Sequence, residues 1–409
     1  MPVTKYFPRI WSSPKQKEQI FFKCDPTLQR PLRVCVCKST TLASTDPIVP
    51  ITPTGPKVTA YNISGTKFAS GNGLGVAYGN GVWIAVGIGI NKLLYSSDGQ
   101  TWSIPALPLN PLAMASVIYR NNLWVAAGLA GIYYSLDNGN SWTAVASPPV
   151  GNYTGVNTDI KSISYGNGVW ICPRVATNGY SNAIARSTDG INWSSASGTL
   201  FTISGTGNYA TYANNTWVAV GRSVTTSNII YSEDQGINWS AATGSTISSE
   251  GKFVMFGNNI WIAVGQGTNK IVWSEDGKEW TAATVSVGTN VFTTGYSVAY
   301  GDGLWVAVGE GGDTILWSED GKNWSAATGY AFSSKGISVI FENNIWIAVG
   351  EGTYKILWSD DGKIWRVPSG STFLSKGNSI AFGDNKWIAV GSDGGTPQGT
   401  NTILKLLYQ

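Results

Sequence analysis

Residues 338–365 are SVIFENNIWIAVGEGTYKILWSDDGKIW, and this stretch decides the fold. An alternating apolar run leads through Glu-Asn-Asn into a second, nearly continuous apolar run, WIAVG. Two such runs joined by a tight Asn-rich turn predict a β-hairpin. A third apolar run, KILWS, enters another turn that ends on a second tryptophan. The stretch therefore predicts four short antiparallel strands, which we call A to D.

The same pattern recurs along the chain. The strand-B tryptophan is found at eight positions, 41 to 47 residues apart: Trp83, Trp124, Trp170, Trp217, Trp261, Trp305, Trp346 and Trp387. Four strands per repeat at this period are typical of propeller blades, because one sheet buries both of its faces only between neighbours. We therefore predict an all-β β-propeller over residues 57–409, preceded by an extended N-terminal arm at residues 1–56.

The number of turns constrains how the ring closes. Eight A–B hairpins are present, but only seven C–D turns, because the chain ends after the last strand C at Gln409. Residues 57–63, KVTAYNI, precede the first strand A and can supply the missing strand D. That pairing would leave no exposed sheet edge between the two chain ends. We predict eight blades closed in this way; seven is the alternative, if one hairpin lies outside the ring.

Each C–D turn carries Ser, Asp, Gly and Trp at fixed spacing. Five copies have the form Ser-x-Asp-Gly-x-x-Trp, and two have one more residue between Asp and Gly. The aspartate can accept hydrogen bonds from the N–H groups of its own turn, and the glycine supplies a positive φ. The tryptophan then folds back over the hairpin. The aspartates are Asp98, Asp137, Asp189, Asp234, Asp276, Asp320 and Asp361.

This turn resembles the Asp-box, or BNR repeat, of sialidases and of many non-enzymatic propellers. The two longer copies match the family spacing closely, and the five shorter copies depart from it by one residue. The resemblance implies that the seven aspartates are folding elements and not catalytic groups. Calcium binding by pairs such as Glu275–Asp276 is the alternative, but adjacent strand residues diverge, and calcium needs about six to eight oxygen ligands. We predict no metal and no cofactor.

A sialidase reaction would need three converging arginines, an acid/base aspartate and a Tyr–Glu nucleophile pair, as the resemblance implies. After the arm, the arginines are only Arg120, Arg174, Arg186, Arg222 and Arg366. The chain has no histidine, so the commonest general base is absent. Nearly every carboxylate of the repeats falls in a repeated turn. We predict that the protein is not an enzyme, with a degenerate glycosidase as the remaining alternative.

Ligand binding is a second hypothesis, based on the B–C loops. These loops include GIGINK, GQGTNK and GEGTYK, and in a propeller they share one face with the D–A loops. A repeated polar site for glycans would then use the residues Asn91, Lys92, Asn269, Lys270, Tyr354 and Lys355. The alternative is that Gly-x-Gly only turns the chain and lysine keeps it soluble. Nucleic acid is not expected as a partner, because the repeats are mildly acidic.

The charge of the chain is unevenly placed. Residues 1–60 hold nine Lys/Arg against three acidic residues, whereas the remainder holds 18 against 21. The arm also carries nine of the 17 prolines, so we expect an extended segment that docks on an acidic protein surface. A merely soluble tail is the alternative. Only 12% of all residues are charged, compared with about 25% in typical soluble domains.

The cysteines and the apolar runs bear on where the protein resides. Cys24, Cys35, Cys37 and Cys172 match no zinc pattern, and we interpret them as free thiols in a reducing compartment, with a disulfide as the alternative. The N-terminus lacks the apolar core of a secretory signal. No run approaches the about 18 apolar residues of a membrane span.

Units of the form GN-x-WIAVG followed by SEDGKxW resemble repeat proteins of large DNA viruses and tailed phages. The resemblance covers residues 68–409 and implies a virion-associated capsid or appendage component. We therefore expect a structural protein located in the virion, with the cytoplasm as the alternative. Its expected partners are other structural proteins, which the arm would contact, and glycans in the second hypothesis.

Overall fold

A computed structural model represents the protein. It describes residues 57–106, 113–129, 131–146, 160–175, 183–198, 201, 205–223, 227–286, 288–394 and 401–409. The arm, with the predictions for Cys24, Cys35 and Cys37, lies outside these residues. Every regular element within them is a β-strand, and none of them is helical. The prediction of an all-β chain is therefore confirmed for the described part.

Strands A and B form a hairpin in each of eight repeated units, numbered 1 to 8 along the chain. Their turns contain residues such as Asn343 and Asn344 at φ 52° and 57°, which match the right-handed twist of the flanking strands. The A strands are Asn72–Gly79, Met114–Arg120, Ser164–Gly166, Thr206–Ala213, Glu250–Gly257, Thr294–Gly301, Lys335–Glu342 and Lys376–Gly383. The B strands are Val82–Ile88, Leu123–Gly128, Val169–Pro173, Thr216–Arg222, Ile260–Gln266, Leu304–Glu310, Ile345–Glu351 and Lys386–Ser392.

Strands C and D complete each antiparallel sheet. The C strands are Leu93–Ser96, Gly131–Ser135, Ile184–Ser187, Ile229–Ser232, Ile271–Ser274, Ile315–Ser318, Ile356–Ser359 and Ile403–Tyr408. The D strands of units 1 to 7 are Thr101–Trp102, Thr143–Ala144, Ser194–Ser195, Asn238–Ala241, Glu279–Ala282, Asn323–Ala326 and Ile364–Trp365. Because strands B and C are covered on both faces, their side chains are almost entirely buried.

The missing strand D of unit 8 comes from the start of the described chain. Val58–Asn62, the closing strand, runs antiparallel to strand C of that unit, from Val58 opposite Tyr408 to Asn62 opposite Leu404. The backbones of Lys57 and Gln409 exchange hydrogen bonds of 2.8 and 3.0 Å. The two ends of the described chain therefore share one sheet, as the sequence predicts.

Short segments after the D strands join consecutive units, and we call them latches. Each latch pairs in parallel with strand D of the next unit; for example, Thr243 and Gly244 lie opposite Glu279 and Trp280. The latches are Ser64–Gly65, Ser197–Gly198, Thr243–Gly244, Thr284–Val285, Thr328–Gly329 and Ser369–Gly370. The φ of Gly244 is +81°, and a Cβ there would lie 2.3 Å from the carbonyl oxygen of Trp280. Glycine is required because the backbones approach so closely.

The core consists of eight clusters of buried side chains, each lying between two consecutive units. One of them joins unit 8 to unit 1 and includes Ile388, Val390, Trp83 and Ala85. Within every unit, an aromatic residue of strand A also packs on the strand-B tryptophan, with ring centroids 4.8 to 5.4 Å apart. The apolar faces of each sheet are thus buried against its two neighbours.

The strand directions give the sheets two distinct ends. A–B turns and C–D turns lie together on what we call the turn face, where Asn138 Nδ2 donates to the Asn80 carbonyl oxygen at 3.0 Å. B–C and D–A loops lie together on the loop face, where Asn269 Nδ2 donates to the Thr246 carbonyl oxygen at 3.2 Å. Strand C runs towards the turn face, so Gln409 and Lys57 lie at that end.

Candidate functional site

The seven predicted aspartates organise the C–D turns of the turn face. Asp276 Oδ1 accepts hydrogen bonds from the backbone N–H groups of Lys278 and Glu279 at 2.8 and 2.9 Å. Ser274 Oγ donates to the same oxygen at 3.0 Å and accepts from the Gly277 N–H at 2.8 Å. The Ser–Asp pair occurs in all seven turns. The carboxylates are therefore engaged by their own backbone.

These contacts keep the aspartates ionised. Partial burial opposes ionisation, but hydrogen bonds from the backbone and from neighbouring side chains outweigh it and lower the pKa of all seven carboxyls. The pKa falls to about 2 for Asp189 and for Asp320. A carboxyl group that holds its proton so weakly makes a poor general acid near neutral pH.

The turn tryptophans complete the same motif. Each Trp Nε1 donates to the carbonyl oxygen of the turn glycine, at 2.9 to 3.4 Å. In unit 5 the Trp280 side chain is 1% exposed. The Ser, Asp, Gly and Trp of the turn face thus satisfy one another, and their arrangement explains the fold of the turn.

The predicted asparagines lie on the loop face, where they hold loops together. Asn91 Nδ2 donates to the Lys67 carbonyl oxygen at 2.9 Å, which ties the B–C loop of unit 1 to its D–A loop. Asn269 makes the equivalent bond in unit 5, and Asn401, which the sequence reasoning did not select, makes it in unit 8. These amides have a structural role that is repeated between units.

The predicted lysines and Tyr354 lie beside those asparagine positions. Lys92 Nζ and Lys355 Nζ each donate to a carbonyl oxygen of their own loop at 3.3 Å. The Lys270 carbonyl oxygen accepts from the Gly265 N–H at 3.0 Å. Tyr354 occupies the position of Asn269 and packs edge-to-face on Tyr330, with ring centroids 5.1 Å apart. Tyr330 is 49% exposed, and the sequence reasoning missed it.

A second feature of the loop face that the sequence reasoning missed is a chain of backbone pairings, which we call the inner rim. The last residue of a strand B along this rim makes two pairings. One is with the first residue of strand A in the same unit, and the other is with the first residue of strand A in the next unit. From unit 6 to unit 8 this order brings together Glu310, Lys335, Glu351 and Lys376. Opposite charges alternate along it, so the rim is close to neutral.

Unit 5 extends this rim with a further ion pair. Lys252 Nζ lies 2.7 Å from Glu250 Oε1, and Asn208 Nδ2 donates to the same oxygen at 2.8 Å. Burial opposes ionisation of Glu250, but these partners lower its pKa. The Tyr296 hydroxyl donates to Glu310 Oε2 at 2.6 Å, and burial together with this bond raises the pKa of Tyr296. Acidic groups of the rim therefore already have partners within the fold.

Acidic, cysteine and arginine side chains are the groups that could bind a metal ion or a carboxylate. The described residues contain no group of three His, Cys, Asp or Glu side chains that could hold a metal ion. Arg120 ends a strand A at the turn face, Arg174 follows a strand B at the loop face, and Arg366 follows an outer strand D. These arginines do not converge. Cys172 is a buried free thiol, and burial raises its pKa.

No helix of the described residues is long and apolar enough to cross a membrane. The sequence matches no family model and no curated protein. Solved structures do match it. The computationally designed Ika8 protein is 12% identical, with 87% of this chain and 100% of that chain covered, and a TM-score of 0.62.

Two further solved structures match with lower TM-scores. The WD40 β-propeller domain of Doa1 is 12% identical, with 87% of this chain and 97% of that chain covered, and a TM-score of 0.50. A catalytically inactive virginiamycin B lyase from Staphylococcus aureus, solved with quinupristin, is 11% identical; coverage is 86% and 99%, and the TM-score is 0.52. At these identities the likeness shows the fold alone. The chain is an all-β protein with the β-propeller architecture that its repeat predicts.

Proposed function

We propose that the chain is a non-enzymatic structural and interaction protein of a virus particle. In this proposal an eight-bladed Asp-box propeller is tethered to other coat proteins by the basic arm at residues 1–56. The observation that carries the proposal is the closing strand. The chain leaves the arm and immediately becomes strand D of unit 8, paired with strand C along five residues.

Eight blades are supported by the distribution of the core. Each of the eight hairpins contributes side chains to two of the eight buried clusters, one with the preceding unit and one with the following unit. A hairpin lying outside a seven-bladed ring would have no such second partner. This packing supports the proposed count of eight blades.

The closing strand also explains why an arm at this position makes an effective tether. Val58 and Ala60 are 0% and 2% exposed and belong to the cluster between units 7 and 8. A pull on residue 57 therefore acts on a buried strand with hydrogen bonds on one edge and a latch on the other. The attachment point, residue 57, lies at the turn face of unit 8.

A structural role also fits the use of the charged residues. The turn carboxylates accept backbone hydrogen bonds, and the rim carboxylates accept from lysine, asparagine or tyrosine side chains. Such groups stabilise the fold, and the recurrence of the turn motif in units 1 to 7 is typical of a scaffold. The basic arm supplies the charge for long-range attraction to an acidic partner.

Mass spectrometry of purified virus particles tests the location. We expect the chain at a fixed copy number per particle, and it should be released by a high-salt wash because salt screens contacts of the basic arm. Its absence from particles that contain the other coat proteins would overturn the virion placement.

The tether is tested with the full chain. Replacing the eight Lys/Arg of residues 1–56 by Gln should abolish incorporation into particles. As a matched control, exchanging Lys for Arg and Arg for Lys at the same positions keeps the charge and should preserve incorporation. Equal incorporation of the Gln variant and the natural chain would contradict the tether.

A further inference from the structure

Units 5 and 7 share the same loop-face hydrogen bond, and two of the positions at which they differ, one exposed and one half-buried, carry tyrosine only in unit 7. Their D–A loops are Thr-Gly-x-x-(Ile/Phe)-Ser-Ser, and their B–C loops are Gly-Thr-x-Lys. In unit 5, Ser248 Oγ accepts from the Thr268 N–H at 2.8 Å, and in unit 7, Ser333 Oγ accepts from the Thr353 N–H at 2.8 Å. The two loop pairs therefore have the same internal scaffold.

At the two variable positions, unit 5 has Ser245 and Asn269, whereas unit 7 has Tyr330 and Tyr354. In both units the backbone N–H at the first position donates to the backbone carbonyl oxygen of a turn tryptophan. Ser245 donates to Trp280 at 2.7 Å, and Tyr330 donates to Trp365 at 3.0 Å. At the second position the amide tie of Asn269 is lost in unit 7. Unit 5 has the same internal loop bond without either ring, so this loop form does not require the two tyrosines.

The two tyrosines form a rigid platform. Tyr354 is half-buried and packs on the cluster between units 6 and 7, which fixes its ring. Tyr330 meets it edge-to-face at 78° and remains about half exposed. Hydroxyl groups of Ser333 and Thr353 and the ammonium group of Lys355 lie in the same loops. The exposed Tyr330 ring thus shares these two loops with several hydrogen-bonding groups.

We propose that Tyr330 and Tyr354 form a single carbohydrate-binding site on the loop face of unit 7. The C–H groups on one face of a pyranose ring carry slight positive charge and pack against the electron-rich face of an aromatic ring. The sugar hydroxyls at the ring edge then find partners among Ser333, Thr353 and Lys355. The platform is two side chains wide and suits one or two sugar rings, whereas a protein partner would need about 800 Å².

This proposal is independent of the arm, so it can fail while the tether holds. The full chain is first applied to a printed array of neutral and anionic oligosaccharides, and the strongest-binding oligosaccharide is then titrated by calorimetry. We expect binding with one site per chain. The absence of any array signal would overturn the proposal.

Unit 5 supplies the matched variants. Tyr330→Ser with Tyr354→Asn gives unit 7 the residues of unit 5, and we expect the dissociation constant to rise at least about tenfold. The melting temperature should fall by no more than about 3 °C, because unit 5 shows that these residues suit the loops and only the packing of the Tyr354 ring is lost. Binding within twofold of the natural chain would overturn the proposal.

The reciprocal change creates a site where none is expected. Ser245→Tyr with Asn269→Tyr should raise the calorimetric stoichiometry from one to two sugars per chain. Tyr330→Phe separates the ring from its hydroxyl and should keep binding within about twofold, since stacking uses the ring face. Loss of binding in this variant would show that the ring is not the contact and would overturn the stacking geometry.

Discussion

Units 4 to 7 are cross-linked on their outer edge by a set of contacts that the described residues of units 1 to 3 do not repeat. In unit 6, Lys322 Nζ lies 3.0 Å from Glu275 Oε1 of the preceding unit and 4.0 Å from the centre of the Trp273 ring. Equivalent contacts of Lys278 and Lys363 link units 4 to 5 and 6 to 7. We call these three rungs the outer ladder.

Units 1 to 3 reach the same four-stranded sheet without the ladder. The lysine position is Gln100, Asn140 or Ile191 in these units, yet the Asp-centred turn is the same. Exposed ion pairs contribute about 0 to 1 kcal/mol, and exposed cation–π contacts about 0.5 to 1 kcal/mol. The comparison teaches that the buried turn tryptophan and the turn aspartate specify the sheet, and that the ladder adds small increments.

The largest expected effect concerns the turn tryptophan, which units with and without the outer ladder have in common. Trp193→Ala in unit 3 and Trp280→Ala in unit 5 each remove a buried indole and its hydrogen bond to glycine. We expect each to lower the free energy of unfolding by about 3 to 5 kcal/mol, because a large cavity remains. Urea denaturation followed by circular dichroism measures this loss.

Similar losses at the two sites would support a common determinant. A loss at Trp193 below about 1 kcal/mol, beside a large loss at Trp280, would mean that the ladder-free units depend on other contacts.

The next largest effect is the stability that is lost when the turn aspartates are protonated at low pH. The folded-state pKa of Asp189 and of Asp320 is about 2, below the ordinary value. Their contribution to stability is therefore complete above about pH 4 and is lost as the pH falls towards 2. Asp189→Asn and Asp320→Asn should each cost about 1 to 2 kcal/mol at pH 7, because a charged acceptor becomes neutral.

Urea midpoints at pH 7, 4, 3 and 2 check the prediction. Each variant should lose less stability on acidification than the natural chain does, since one titrating group has been removed. If the urea midpoint of a variant falls with pH in parallel with that of the natural chain, the carboxylate does not titrate in this range.

Much of the fold could be predicted from the sequence because the A–B hairpin pattern recurs eight times along the chain. The alternating strand A, the apolar strand B and the Asp-centred turn each depend on residues close in sequence, so hairpin and turn follow locally. The closing strand was predicted because residues 57–63 precede a chain that lacks one strand D, and an unpaired sheet edge is unfavourable.

The latches and the inner rim were not predicted because they join residues of different units. The sequence alone does not distinguish Gly244 from other loop glycines, because only the fold brings it close to the Trp280 carbonyl oxygen. A Ser/Thr-Gly pair follows the turn tryptophan in units 3, 4, 6 and 7, as in residues 197–198 and 328–329, and was a visible signal. For the candidate site, Tyr354 was selected but its partner Tyr330 was not, because the two tyrosines are 24 positions apart and only the fold brings them together.

The smallest expected effect concerns the ladder itself. Lys322→Gln should lower the free energy of unfolding by about 0.5 to 1 kcal/mol at low salt, because one ion pair and one cation–π contact are lost. The difference should shrink in high salt, since exposed ion pairs are screened. Gln100→Ala, at the matched position of unit 1, removes an uncharged, exposed hydrogen bond of 3.1 Å to the Asn62 carbonyl oxygen and serves as the control, because its effect should not depend on salt.

The converse change adds a rung where the chain has none. Ser97→Glu with Asn140→Lys would place a carboxylate and an ammonium group beside Tyr95, the unit 1 residue that corresponds to Trp273. We expect a gain of up to about 0.5 kcal/mol, present at low salt and weaker at high salt, as seen in urea midpoints. A gain of several kcal/mol would mean that the ladder is more than an increment, because exposed contacts alone cannot supply it. A gain within the expected range would leave the buried turn residues as the feature on which units 1 to 7 depend.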